Sequence, residues 1–207
     1  MLIANNLCFK RHDRDILKDI NLTLSPKKII HLRGNNGVGK TTLLKVITNV
    51  VEPDKGEIFW NSKNIKKNPF DLYADLTFIM DKQTSNNQLT VEENIKFWCK
   101  LFSSKINNKE IGSLLVLLSL DNYRKTQVSN LSFGEIKKLE LSRLIIEQKK
   151  LWILDEPYIG LDKSTSDLIS QTMLNHVNLG GMVIFTSHIN PLIKDLKILN
   201  LENDVDD

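Results

Sequence analysis

The chain has 207 residues, 41% of them hydrophobic and 26% charged, enough for one sizeable core or a core with a smaller lobe, which excludes a disordered or fibrous protein. A formal net charge of +3 gives no electrostatic footprint for nucleic acid, and two cysteines, Cys8 and Cys99, without a Cys-x-x-Cys spacing argue for free thiols in a reducing compartment. No stretch approaches the ~20 apolar residues of a membrane span, and Met1 to Phe9 lacks the apolar core of a signal peptide, so no direct membrane insertion is expected.

Residues 2 to 24 alternate loosely and read as antiparallel strands around the polar turn Arg11 to Asp15, with Ser25-Pro26 breaking the pattern. Lys28 to Arg33 is a short, mostly apolar run suited to an interior strand. The nine residues Gly34-Asn35-Asn36-Gly37-Val38-Gly39-Lys40-Thr41-Thr42 follow, matching Gly-x-x-x-x-Gly-Lys-Ser/Thr at every fixed position, and Lys40 to Val50 continues on a helical period. A glycine-rich loop between a strand and a helix start aims backbone N–H groups and the positive end of the helix dipole at an anion. Lys40 adds a point charge for the β and γ phosphates, and the Thr41 hydroxyl suits Mg²⁺. The loop therefore reads as a triphosphate cradle, against the plainer reading of a turn that happens to precede a helix.

Glu52 to Gly56 is a turn, Glu57 to Trp60 a strand, and Leu76 to Met80 a second strand ending in the polar loop Asp81 to Gln88. From Thr90 the period changes to about 3.6. Val91, Ile95, Trp98 and Phe102 share one helical face, open to two readings, a lobe's own core or a docking stripe. Leu151 to Leu154 and Met182 to Phe185 are continuous apolar runs, as in strands buried on both faces of a parallel sheet, joined by a helix over 164 to 178. A last strand near Ile198-Leu199 precedes an acidic tail expected to fray.

Asp155 and Glu156 sit at the C-terminal end of the first of those buried runs, where open α/β sheets bind ligands. Asp155 suits Mg²⁺ and its waters. Glu156 is the candidate to orient or deprotonate the attacking water, helix capping being the alternative for both. His188 ends the second run and is placed to donate to a γ-phosphate, whereas His12, His31 and His176 read as structural or solvated. Ser132, in Leu131-Ser132-Phe133-Gly134-Glu135, precedes a helix and is first of all an N-cap.

In this order the segments resemble the nucleotide-binding domain of ATP-binding cassette (ABC) transporters across essentially the whole chain. The cradle resembles Walker A, Leu151 to Glu156 Walker B, Leu131 to Glu135 the signature, Gly160-Leu161-Asp162 the D-loop and His188 the switch histidine. Leu151 to Tyr158 and Gly180 to His188 are similar to the small ATPase subunits of the haem exporters of bacterial cytochrome c maturation. The resemblance implies an α/β fold: a P-loop NTPase core (1–87 and 146–207) with a mixed or parallel sheet, an N-terminal antiparallel β subdomain and an inserted helical lobe (about 88–145). It implies ATP and Mg²⁺ as ligands, with Glu156, His188 and Lys40 catalytic, and Thr41, Asp155 and Gln83 at the metal.

A two-fold dimer is implied too, each ATP held by residues 34–42 of one copy and by Ser132 and Gly134 of the other. Integral membrane permease subunits would be the partners, with the chain peripheral on the cytoplasmic side of the inner membrane. Four positions depart from the pattern. Phe133 replaces a glycine and Glu135 a glutamine; Lys82 stands where a glutamine is usual, which moves that role to Gln83; and no aromatic falls at the adenine position near Arg11, leaving Arg11, His12 or Phe9 to stack. Another small ABC exporter, a non-transport ABC protein acting on ribosome or DNA, and a regulatory subunit remain alternatives.

Overall fold

The computed structural model describes residues 1–191, 193 and 196–201. Leu2, Ala4, Leu7, Leu17, Leu22 and Leu24 all point inward, and this alternation folds β1 (Leu2–Arg11) against β2 (Arg14–Leu24) as an antiparallel pair. The connection is His12 and Asp13, at φ 48° and 61°. Two left-handed residues make the mirror-image turn whose twist matches the flanking strands, so the expected polar turn narrows to its centre.

Next come β3 (Lys28–Arg33) and α1 (Lys40–Ile47). The helix is shorter than its periodicity predicts because Thr48 turns its hydroxyl back onto the Leu44 carbonyl and Asn49 takes φ 59°, a left-handed stop. β4 (Lys55–Trp60) and the two-residue β5 (Lys63–Asn64) follow. α2 (Pro69–Asp75), a helix the sequence reading did not anticipate, starts at a proline and buries only Leu72. β6 (Leu76–Ile79) ends this half.

Two capped helices open the lobe. α3 (Val91–Leu101) begins at a Thr90/Glu93 capping box and α4 (Asn108–Leu117) at an Asn107/Glu110 box, each satisfying the first free amides reciprocally. The expected helix after Ser132 is two pieces, α5 (Phe133–Leu141) and α6 (Arg143–Glu147), divided at Ser142, whose buried hydroxyl bonds the Leu139 carbonyl at 2.6 Å. Val91, Ile95, Trp98, Ile111, Leu114, Leu115, Leu139 and Ile146 pack into one cluster, with Phe102 against it. The stripe of Val91, Ile95 and Trp98 is therefore lobe core.

β7 (Leu151–Leu154), α7 (Lys163–Asn178), β8 (Met182–Thr186) and β9 (Lys197–Asn200) follow the lobe. Every residue of β7 and β8 is buried, as their unbroken apolar runs require. The main sheet has the order β6-β7-β8-β3-β9 with all pairings parallel, while β2-β1-β4-β5 form a separate antiparallel sheet. Of the alternatives held open for the main sheet, the parallel one is found. The acidic tail lies outside the described residues.

Candidate active site

The loop between β3 and α1 takes its shape from glycines that nothing else could replace. Gly34 has φ 146°, and a Cβ there would meet the Leu201 carbonyl oxygen at 2.5 Å; Gly39 has φ 108°, and a Cβ there would stand 2.9 Å from the Ile16 side chain. Val38 turns its side chain into the core, 3% exposed, and so offers the site only its backbone. Lys40 Nζ donates to the carbonyls of Gly34 (2.8 Å) and Asn35 (3.1 Å), pinning the loop over the start of its own helix.

β7 and β8 bring the remaining groups to the same edge. Asp155, 2% exposed, accepts from Thr41 Oγ1 at 2.7 Å on one oxygen and from Thr186 Oγ1 at 2.8 Å on the other. The Thr186 hydroxyl in turn accepts from the Glu156 backbone N–H at 2.8 Å. Glu156 sits at φ 47°, a left-handed conformation costly for a residue with a Cβ. Burial pushes its carboxyl above the usual range, opposed by the nearby charges of His188 and Lys40. His188 Nε2 lies 3.5 Å from Glu156 Oε1, an oxygen that is buried and makes no hydrogen bond.

A cleft of about 530 Å³ gathers these groups, lined by Asn36, Gly37, Gly39, Lys40, Thr41, Thr42, Asp155, Glu156 and His188 together with Arg11, Ile16, Asp81 and Ile159. A hydroxyl and a carboxylate converging at 2.7 Å form the oxygen donor set that Mg²⁺ prefers, with further positions left for phosphate and water. Thr41 and Asp155 thus fit the ion. Gln83 does not join them: its amide donates to Ser85 O (3.0 Å) and Asn87 Oδ1 (2.6 Å), and the cleft residue of this loop is Asp81. The structure thus places Gln83 outside the lining of the cleft.

Ser132 and Gly134 do not line the cleft of their own chain. Ser132 caps α5, accepting from Glu135 N at 3.4 Å while Glu135 Oε2 accepts from Ser132 N at 2.7 Å. Gly134 lies so near Gly160 that a Cβ would be 2.6 Å from the Gly160 carbonyl oxygen.

Three groups escaped the sequence reading, Thr186, Asp81 and Lys137, and His31, read as structural or solvated, is structural. Thr186 carried the signal of a hydroxyl closing a buried apolar run, and Asp81 that of the first acid after β6. His31 stacks on Phe185 at 4.5 Å and, because Arg33 Nε donates to its Nδ1, presents Nε2–H to the Ser187 carbonyl at 3.1 Å, steadying the turn before His188. Lys137 of α5, 5% exposed, donates to the Asp155 carbonyl at 3.4 Å; burial lowers its pKa, while Asp81, Asp155, Glu140 and Glu156 raise it. His176 is structural, stacked on Trp152 at 3.7 Å.

Residues 17–159 match the ABC transporter family model. Curated relatives named cytochrome c biogenesis ATP-binding export protein CcmA include one from Yersinia pestis, 34% identical with 91% of this chain and 86% of that protein covered. Another, from Vibrio cholerae, is 30% identical over 96% and 98%. Among solved structures, an ABC transporter ATP-binding protein from Pyrococcus furiosus superposes with a TM-score of 0.83 at 26% identity, covering 97% of this chain and 96% of that one. A dimeric ATP-binding cassette bound to ADP and Pi shares the fold at 0.82 and 19% identity, covering 98% and 97%.

Proposed function

Since the chain belongs to the ABC transporter family, as one of its ATP-hydrolysing subunits, we propose that Glu156 activates the water that attacks the γ-phosphate, in a subunit serving an exporter of cytochrome c biogenesis, with haem as the cargo. The observation that carries the catalytic reading is one cleft holding Lys40, the Thr41–Asp155 pair and the Glu156–His188 pair at the C-terminal edge of β3, β7 and β8.

Loop amides and the N-terminus of α1 cradle the phosphates, and Lys40 faces the charge that grows on the β–γ bridging oxygen as that bond breaks. A desolvated Glu156 carboxylate is a better base than one in water and takes the proton of the attacking water. Thr186 holds Asp155 and the Glu156 backbone in one register, and His188 donates toward the γ-phosphate. Magnesium held by Thr41 and Asp155 would supply charge neutralisation on the β and γ oxygens.

The exposed Ser132 and the half-buried Gly134, both outside the lining of their own cleft, serve the nucleotide of a second copy in a two-fold dimer. Dimer closure drives integral membrane permease subunits, and no nucleic acid is required. Among the described residues no helix is long and apolar enough to cross a membrane, in keeping with a peripheral place on the cytoplasmic face of the inner membrane. The CcmA relatives, matched over most of both chains, support the cytochrome c assignment.

Glu156→Gln tests the chemistry: ATP affinity stays within about twofold of the parent while turnover drops by at least about 10²-fold, the contribution of a positioned base. Retained hydrolysis would remove Glu156 from this role. For the cargo, deletion should abolish covalent haem in c-type cytochromes and the chain should co-purify with cytochrome c biogenesis membrane proteins; normal cytochromes in the deletion strain refute it.

A further inference from the structure

α5 does more than present Ser132. Lys137 and Glu140, one turn apart, both point inward at 5% and 4% exposure. Lys137 Nζ reaches the Asp155 carbonyl at 3.4 Å, where β7 gives way to the two catalytic-edge carboxylates. Glu140 grips the loop that follows β6: Oε1 accepts from the amides of Thr84 (2.9 Å) and Ser85 (2.7 Å), and Oε2 accepts from Thr84 Oγ1 (2.5 Å). Arg143 continues the seam, donating to Thr84 Oγ1 at 3.2 Å and pairing with Glu147 at 2.6 Å, whose other oxygen accepts from Thr77 of β6 at 2.8 Å. A buried carboxylate that satisfies two backbone amides and a hydroxyl leaves the loop little freedom to move without the helix.

We propose that Lys137 and Glu140 are positioning residues that fix the Asp81–Ser85 loop and the end of β7 to α5, so that engagement of the helix's own N-terminus sets the cleft geometry of the same chain. The proposal rests on the hydrolytic reading above. Neither side chain lines the cleft; each acts through the groups it holds. The polar seam is an expensive way to make a merely cohesive contact, since the same space would take apolar side chains at no cost in desolvation.

The test uses the full chain carrying Lys137→Met, Lys137→Arg, Glu140→Ala or Glu140→Gln, with three readouts: affinity for a fluorescent ATP analogue, turnover, and amide exchange at Thr84 and Ser85. Lys137→Met and Glu140→Ala should bind the analogue within about twofold of the parent and lose about tenfold or more in turnover, a split expected of misplacement and not of lost binding. Lys137→Arg and Glu140→Gln, which keep the donor or the acceptor, should recover at least about half of it. Thr84 and Ser85 amides should exchange faster in Glu140→Ala. Turnover within about twofold of the parent in folded variants, or affinity and turnover falling together with melting temperature, overturns the proposal. Should Glu140→Ala not fold, Thr84→Val removes one contact of the grip, and unchanged turnover there overturns the role of Glu140. A parent chain that hydrolyses no ATP refutes the hydrolytic reading instead, and the exchange rates still decide whether Glu140 holds the loop.

Discussion

Gly134→Ala sets two effects of opposite sign against each other. Gly134 lies in the first turn of α5, so by propensity alone alanine should stabilise by about 1 kcal/mol. The Cβ, however, would stand 2.6 Å from the backbone oxygen of Gly160, which has no rotamer with which to retreat. Restoring an ordinary 3.4 Å contact moves the helix start and the Gly160 turn apart by about 0.8 Å. Overpacking of this kind costs about 1–3 kcal/mol, so the net change is a loss of at most about 2 kcal/mol. At about 2–4 °C per kcal/mol for a chain of this size, melting falls by at most about 8 °C. Turnover suffers more, because a displacement approaching 1 Å at an ordered site costs up to about 10²-fold. Differential scanning fluorimetry and steady-state ATP hydrolysis read the two quantities. A variant that melts higher than the parent and turns over at its rate would show that the close approach of α5 to Gly160 does not matter.

Thr186→Val deprives both Asp155 Oδ1 and the Glu156 amide of their partner; each orphaned buried group costs about 1–3 kcal/mol, and Thr186→Ser should restore stability and turnover where valine does not. Ser132→Asp retains the N-cap and should melt within about 2 °C of the parent, whereas Ser132→Ala loses about 1 kcal/mol; if the hydroxyl serves a second copy's phosphate, both lose turnover, and an active Ser132→Asp leaves capping as its whole role. Glu92 accepts a bidentate pair of hydrogen bonds from Arg124 and contacts Lys96, which hold its carboxyl down at about 2 against an ordinary 4.5. A depressed carboxylate stabilises the fold above its unfolded pKa, and the contribution fades between about 4.5 and about 2. Glu92→Gln should therefore lower the urea midpoint near neutral pH, and the gap to the parent should close on acidification across that window; a gap that widens in acid contradicts the ion pair.

The parts of the site that lie in one short segment were legible before any coordinates. Gly34 to Thr42 carries its geometry in its glycines, and the burial of β7 and β8 follows from apolar runs that admit no solvent face. What escaped depends on contacts between distant segments. Gln83 and Asp81 are two residues apart, and which of them faces the cleft is decided by where Glu140, far along the chain, grips Thr84 and Ser85. The division between α5 and α6 rests on one buried serine hydroxyl that choosing a helical period cannot reveal. α2 went unread because seven residues with one buried leucine give almost no periodic signal. His31 was legible as structural, yet its service to the Ser187 carbonyl required β3 and β8 to be neighbours.

The contacts of Lys40 with the Gly34 and Asn35 carbonyls make this lysine a rivet as well as an electrode. An ammonium has three protons to give, and two are committed to the loop that surrounds it. Removing the side chain therefore takes away curvature along with charge, and an arginine, whose planar fork cannot wrap the same two oxygens, restores only the charge. Weakened nucleotide affinity in any Lys40 variant is accordingly a composite quantity, part electrostatic and part architectural.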